Sequence, residues 1–104
     1  MTSVDPSRDA DRPTRRPDVE WVTLDGEAVL YDPTGDSLHR LNAAATAVWA
    51  ACDGRATPAE IIRVMNGTYE GSPRAIARDV PAVIDRFRRL GLLRRVPGGD
   101  DGDR

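Results

Sequence analysis

The sequence predicts an α+β domain: a three-stranded antiparallel sheet followed by three helices, the outline of a winged helix-turn-helix. Three observations carry this. Residues 19–41 form short runs rich in β-branched and apolar side chains, separated by Asp-Gly and Asp-Pro turn signals. Residues 42–90 change to helical spacing, with a capping residue ahead of each run. The whole chain is 104 residues, room for one domain.

The first strand is read at Val19-Glu-Trp-Val-Thr-Leu24, where Val, Trp and Thr favour a pleated surface. Asp25-Gly26 is a hairpin turn, because Gly tolerates positive φ. Glu27–Tyr31 is the second strand, Asp32–Asp36 a turn cluster, and Ser37–Leu41 a short third strand at an edge of the sheet. Asn42 is an N-cap for an Ala-rich helix over Ala43–Cys52, which Asp53-Gly54 ends. Thr57-Pro-Ala-Glu60 is a capping box, and Ile61, Ile62, Met65 and Tyr69 follow at helical spacing. The third helix is expected from Pro73 to Leu90. Ile76, Val80, Val83, Ile84, Phe87 and Leu90 fall within an arc of about 120° and form a core-facing stripe, with Arg74, Arg78, Arg88 and Arg89 opposite. Pro81 interrupts this pattern and predicts either a kink or a fresh start capped by Asp79. Leu92 and Leu93 are expected to pack back on the core.

The ends read differently. Met1–Asp18 holds four Asp, four Arg and three Pro with few large apolar side chains, and is expected to be a disordered arm. Pro97–Arg104 is read as a disordered tail, which leaves residues 19–96 as the domain.

Composition excludes several function classes. One Cys allows no internal disulfide and no Cys-based metal site. No segment is apolar enough for a signal peptide or a membrane span, which points to the cytoplasm. The net charge of −2 argues against strong non-specific nucleic-acid binding. The distribution is polarised: Val19–Gly71 carries eight acidic side chains against three Arg, whereas Ser72–Val96 carries seven Arg against two Asp. The last helix is therefore a basic patch on an acidic body. Every basic residue is Arg, which fits a GC-rich coding sequence more simply than a functional preference.

No catalytic constellation is evident. His39 reads as a solvated strand residue, Cys52 as a small buried filler, and Asp79 and Asp85 diverge around their helix. Trp49 reads as a core anchor, and Trp21 shares a strand face with Val19 and Thr23. No cofactor is called for. The edge strand is the strongest lead, since its unpaired N–H and C=O groups either meet water or accept an added peptide strand.

Leu41-Asn-Ala-Ala-Ala-Thr-Ala-Val-Trp-Ala-Ala-Cys-Asp-Gly54 resembles the PqqD-like family pattern of Leu-Asn, small residues, an apolar-Trp pair and Asp-Gly. Thr57–Ile61, Tyr69, Asp79-Val80, Leu90–Leu93 and the strand Gly26–Tyr31 fall in order around it. The resemblance covers about residues 18–95 and departs from the pattern at Pro81. It implies a non-catalytic peptide chaperone, a recognition element that binds the leader of a ribosomally synthesised precursor peptide by strand addition. Such a protein presents the peptide to a modifying enzyme such as a radical SAM maturase, a leader protease or a cyclase. Carried to this chain, the edge strand is Ser37, Leu38, His39, Arg40 and Leu41, and the cleft wall on the last helix is Val83, Arg86, Phe87 and Leu90. Complementary charge between a basic helix and an acidic leader agrees with this. Two alternatives remain at this point: a winged-helix DNA-binding regulator reading through the helix Arg residues, and an assembly subunit of an enzyme complex. Monomer and dimer both remain open.

Overall fold

The computed structural model describes residues 12–68 and 70–94. Tyr69, most of the N-terminal arm and the C-terminal tail lie outside the described residues. The elements follow in the expected order: β1 (Glu20–Leu24), β2 (Glu27–Asp32), β3 (Ser37–Leu41), α1 (Ala43–Ala51), α2 (Pro58–Thr68) and α3 (Pro73–Arg89).

The sheet is an antiparallel meander in the order β1-β2-β3. Leu24 pairs with Glu27 across a two-residue turn, with Asp25 at φ 56° and Gly26 at φ 81°. Positive φ at both central residues matches the right-handed twist of the flanking strands. Alternation then sorts the side chains. Trp21, Leu30 and His39 pair across the three strands on the inner face, beside Ala28 and Leu41; Val22, Val29 and Arg40 pair across the outer face.

The helix ends follow their sequence signals. Asn42 Oδ1 accepts from Ala45 N at 2.8 Å. Thr57 and Glu60 close a reciprocal capping box, Thr57 N donating to Glu60 Oε1 at 2.8 Å and Glu60 N to Thr57 Oγ1 at 3.2 Å. At the end of α3, Gly91 at φ 74° lets Leu92 N donate to Phe87 O and Gly91 N to Arg88 O, both at 3.0 Å. That is a Schellman closure, with Leu92 and Phe87 both buried. α3 runs through Pro81 as one helix.

The core joins the inner sheet face to all three helices. Trp49 is at its centre, edge-on to Phe87 at 5.2 Å and to Trp21 at 6.2 Å. Leu92 and Leu93 pack back on this cluster, as expected. Cys52 is buried in it as a small filler.

The boundary expected at Asp18 is corrected. From Pro13 to Arg16 the chain is tied to the core, with Pro13 buried. Arg15 N donates to Cys52 O at 2.9 Å, Arg16 N to Leu92 O at 3.1 Å, Gly54 N to Pro13 O at 3.0 Å and Arg94 N to Thr14 O at 2.8 Å. This strap is held by backbone pairing and by guanidinium groups, so apolar content did not reveal it. Arg15 lies over the Trp21 ring at 5.4 Å and donates to the Trp49 and Ala50 carbonyls at the end of α1, at 3.0 and 2.8 Å. Arg16 grips the buried Asp32 with both Nη atoms, at 3.1 and 3.2 Å.

Candidate peptide-binding edge

β3 is the last strand of the sheet. It pairs with β2 on one side, and among the described residues nothing pairs with its other side. Local contacts fix its two ends. Asp36, at φ 51°, turns the chain into β3, and its carboxylate accepts from the Tyr31 hydroxyl at 2.9 Å. That bond holds the Tyr31 phenol above its ordinary pKa. At the other end Thr46 Oγ1 donates to Leu41 O at 3.3 Å, tying the strand to α1. The edge is thus a short row of backbone groups tethered at both ends.

The five residues of β3 present two different faces. Ser37, His39 and Leu41 point inward, and Ser37 Oγ and His39 Nε2 lie 3.1 Å apart. Leu38 and Arg40 point outward and are exposed. Leu41 is buried, so a neighbour on this edge meets only its backbone.

On α3, the four residues expected at the cleft wall divide. Phe87 is 0% exposed and packed against Trp49, so it supports the core and is no part of a surface. Val83 is half-buried, and Arg86 and Leu90 are exposed. Helical geometry explains the division. At about 100° per residue, Val83, Arg86 and Leu90 share one margin of the apolar stripe, and Ile84 sits on the other. Pro58 at the start of α2 lines a shallow cavity with Pro81, Ile84 and Arg88 on that other side. The margin bearing Val83, Arg86 and Leu90 is therefore not covered by this end of α2. No Cα of β3 comes within 8 Å of a Cα of α3, while α1 packs against both. β3 and the α3 margin are thus separate from each other, each packed on α1. A second cavity of about 350 Å³ lies apart from this edge, under the strap between Arg15, Trp21 and Cys52.

Among the described residues no three His, Cys, Asp or Glu side chains converge as a metal site. No helix among them is long and apolar enough to cross a membrane. Asp79 and Asp85 each pair with a neighbouring Arg, at Arg78 and Arg89. What the sequence reading missed is the outer sheet face. Val22, Leu24 and Val29 are exposed there, and the signal was present as apolar residues at both parities of β1.

A three-stranded antiparallel sheet laid on three helices defines a winged-helix-like α+β domain. The chain belongs to the PqqD family: the family described as Coenzyme PQQ synthesis protein D (PqqD) matches residues 27–93. Two solved structures share the fold. One is described as TbiB1 in complex with the TbiA(beta) leader peptide, with TM-score 0.69 and 19% identity, covering 80% of this chain and 96% of that one. The other is described as lasso peptide synthetase B1 complexed with the leader peptide, with TM-score 0.69 and 20% identity, covering 82% of this chain and all of that one, 100%. No curated protein matches the chain.

Proposed function

We propose that this protein binds the leader segment of a ribosomally made precursor peptide as a fourth strand beside β3, and holds it for a modifying enzyme without performing chemistry itself. The observation that carries this reading is the unpaired outer side of β3, whose exposed Leu38 and Arg40 stand clear of α3. Membership of the PqqD family, and the leader peptides bound by the two structural neighbours, support it. Main-chain pairing at β3 supplies affinity, and Val83, Arg86 and Leu90 supply side-chain selection. Arg86 and its neighbours on α3 favour an acidic leader.

Fluorescence polarisation of a labelled leader from the short reading frame beside this gene tests the proposal. The expected result is saturable binding, weakened at least tenfold by proline at Leu38 or Arg40. N-methylation of alternate leader amides weakens it equally and leaves this protein unchanged. Absence of binding up to high micromolar, with labelled duplex DNA bound instead in a steeply salt-dependent manner, would transfer the reading to a DNA-binding regulator.

A further inference from the structure

The side of the sheet turned away from the helices carries a patch of apolar side chains. Val22, Leu24, Val29 and Leu38 are 68, 77, 37 and 68% exposed on it. Val22 is opposite Val29, and Leu38 is opposite the half-buried Tyr31, so the strand register joins them. A solvated sheet face normally alternates polar residues outward. With 31% charged residues, the chain does not lack them. Of the six large apolar side chains exposed among the described residues, four lie on this face. The other two, Val64 and Leu90, sit on different helices, so the four form a patch rather than scatter.

The rim of the patch is acidic. Glu20 pairs with Tyr31, Glu27 pairs with Leu24, Asp25 is in the hairpin turn and Asp36 precedes β3. Among the described residues, Arg40 is the one cation on these strands' outer face. A face-to-face contact between two copies would set acidic rim against acidic rim, which disfavours self-association. The same rim suits a partner surface with an apolar centre and a border of Arg or Lys.

Size adds a condition. Three strands at about 4.8 Å spacing and five residues at about 3.4 Å give a face on the order of 14 by 17 Å. A stable interface buries roughly 800 Å² on each partner. The face is too small to hold a partner tightly by itself. A peptide strand added at β3 would widen it, because alternate peptide side chains point to the same side as Leu38.

We propose that the outer sheet face docks the enzyme that receives the peptide, with the bound peptide strand completing the docking surface. This rests on the peptide-binding reading for the enzyme's identity and for the fourth strand. The partner brings an apolar patch bordered by basic residues onto Val22, Val29 and Leu38. Peptide and enzyme then raise each other's affinity by the same factor.

The test uses the full chain and the purified modifying enzyme encoded beside it. Leader binding and enzyme binding are measured separately for the wild type, for Val22→Ser with Leu24→Ser, and for Glu20→Lys with Glu27→Lys. These substitutions are exposed and lie outside β3, on β1 and at the start of β2, where Glu27 has no β3 partner in the register. Both variants should bind leader within twofold of the wild type and bind the enzyme at least tenfold more weakly. For the wild type, adding leader should tighten enzyme binding. Enzyme affinity unchanged in both variants overturns the proposal, as does absence of enzyme binding by the wild type with leader present. A wild-type dimer in sedimentation that the Val22/Leu24 variant dissolves also overturns it, since a second copy then covers the face. Enzyme binding that depends on this face while no leader binds would retire the peptide reading and leave the docking surface standing.

Discussion

Arg16 contacts four parts of the chain with one guanidinium: Asp18, Asp32, Thr34 and the Gly91 carbonyl. Its hydrogen bonds hold the Asp32 and Asp18 carboxyls below the usual carboxylate range. Their charged forms are favoured in the folded state, so the contribution is complete above the unfolded value of about 3.9. It is lost as pH falls through the lower folded values. The urea midpoint should therefore drop as pH falls below about 4. Asp32→Asn should lower the midpoint at neutral pH and flatten that drop. Trp49 and Phe87 make a different point. Phe87→Ala should cost about 3–5 kcal/mol in urea unfolding, because it empties a packed position against Trp49. Leu38→Ala should stay within about 0.5 kcal/mol, being exposed. The stripe on α3 was legible as a stripe, but period alone placed Phe87 and Leu90 alike. Only packing separates the buried residue from the one at the margin.

α3 contains Pro81 in its interior, where the missing N–H leaves one helix hydrogen bond unmade. Neither the kink nor the fresh start was decidable from sequence, because the same Pro is compatible with both. The buried row Ile76, Val80, Ile84 and Phe87 continues on either side of it, and the helix is continuous. Tertiary packing of the apolar face outweighs the local cost. Pro81 is exposed, so Pro81→Ala should stabilise the protein by about 1–3 kcal/mol, read as a rise in the urea midpoint with the m-value unchanged. Thr57→Ala should cost about 1 kcal/mol by opening the capping box at α2. The strands and caps were legible because each is set by neighbours in sequence: Asp25-Gly26, Asn42, Thr57–Glu60. The open edge of β3 was legible for the same reason, since a short polar last strand has nothing following it to pair with.

Across the whole molecule, the strap from Pro13 to Arg16 is the part that sequence did not disclose. Its partners, Cys52, Asp53, Leu92 and Leu93, are dozens of residues away, and its own composition is that of a solvated arm. Two chains, one beginning at Arg12 and one at Val19, should differ clearly in thermal midpoint. The shorter one lacks the backbone bonds to Cys52, Leu92 and Arg94 and exposes Trp21. The strap also has a topological consequence. Because Thr14 and Arg94 are hydrogen-bonded neighbours, the two ends of the described chain leave the domain from the same place. A short linker from Arg94 to Arg12 would close the chain into a ring without spanning the protein. Such a ring, reopened between α2 and α3, is a circular permutant that keeps β3, its open edge and the outer sheet face in one uncut stretch.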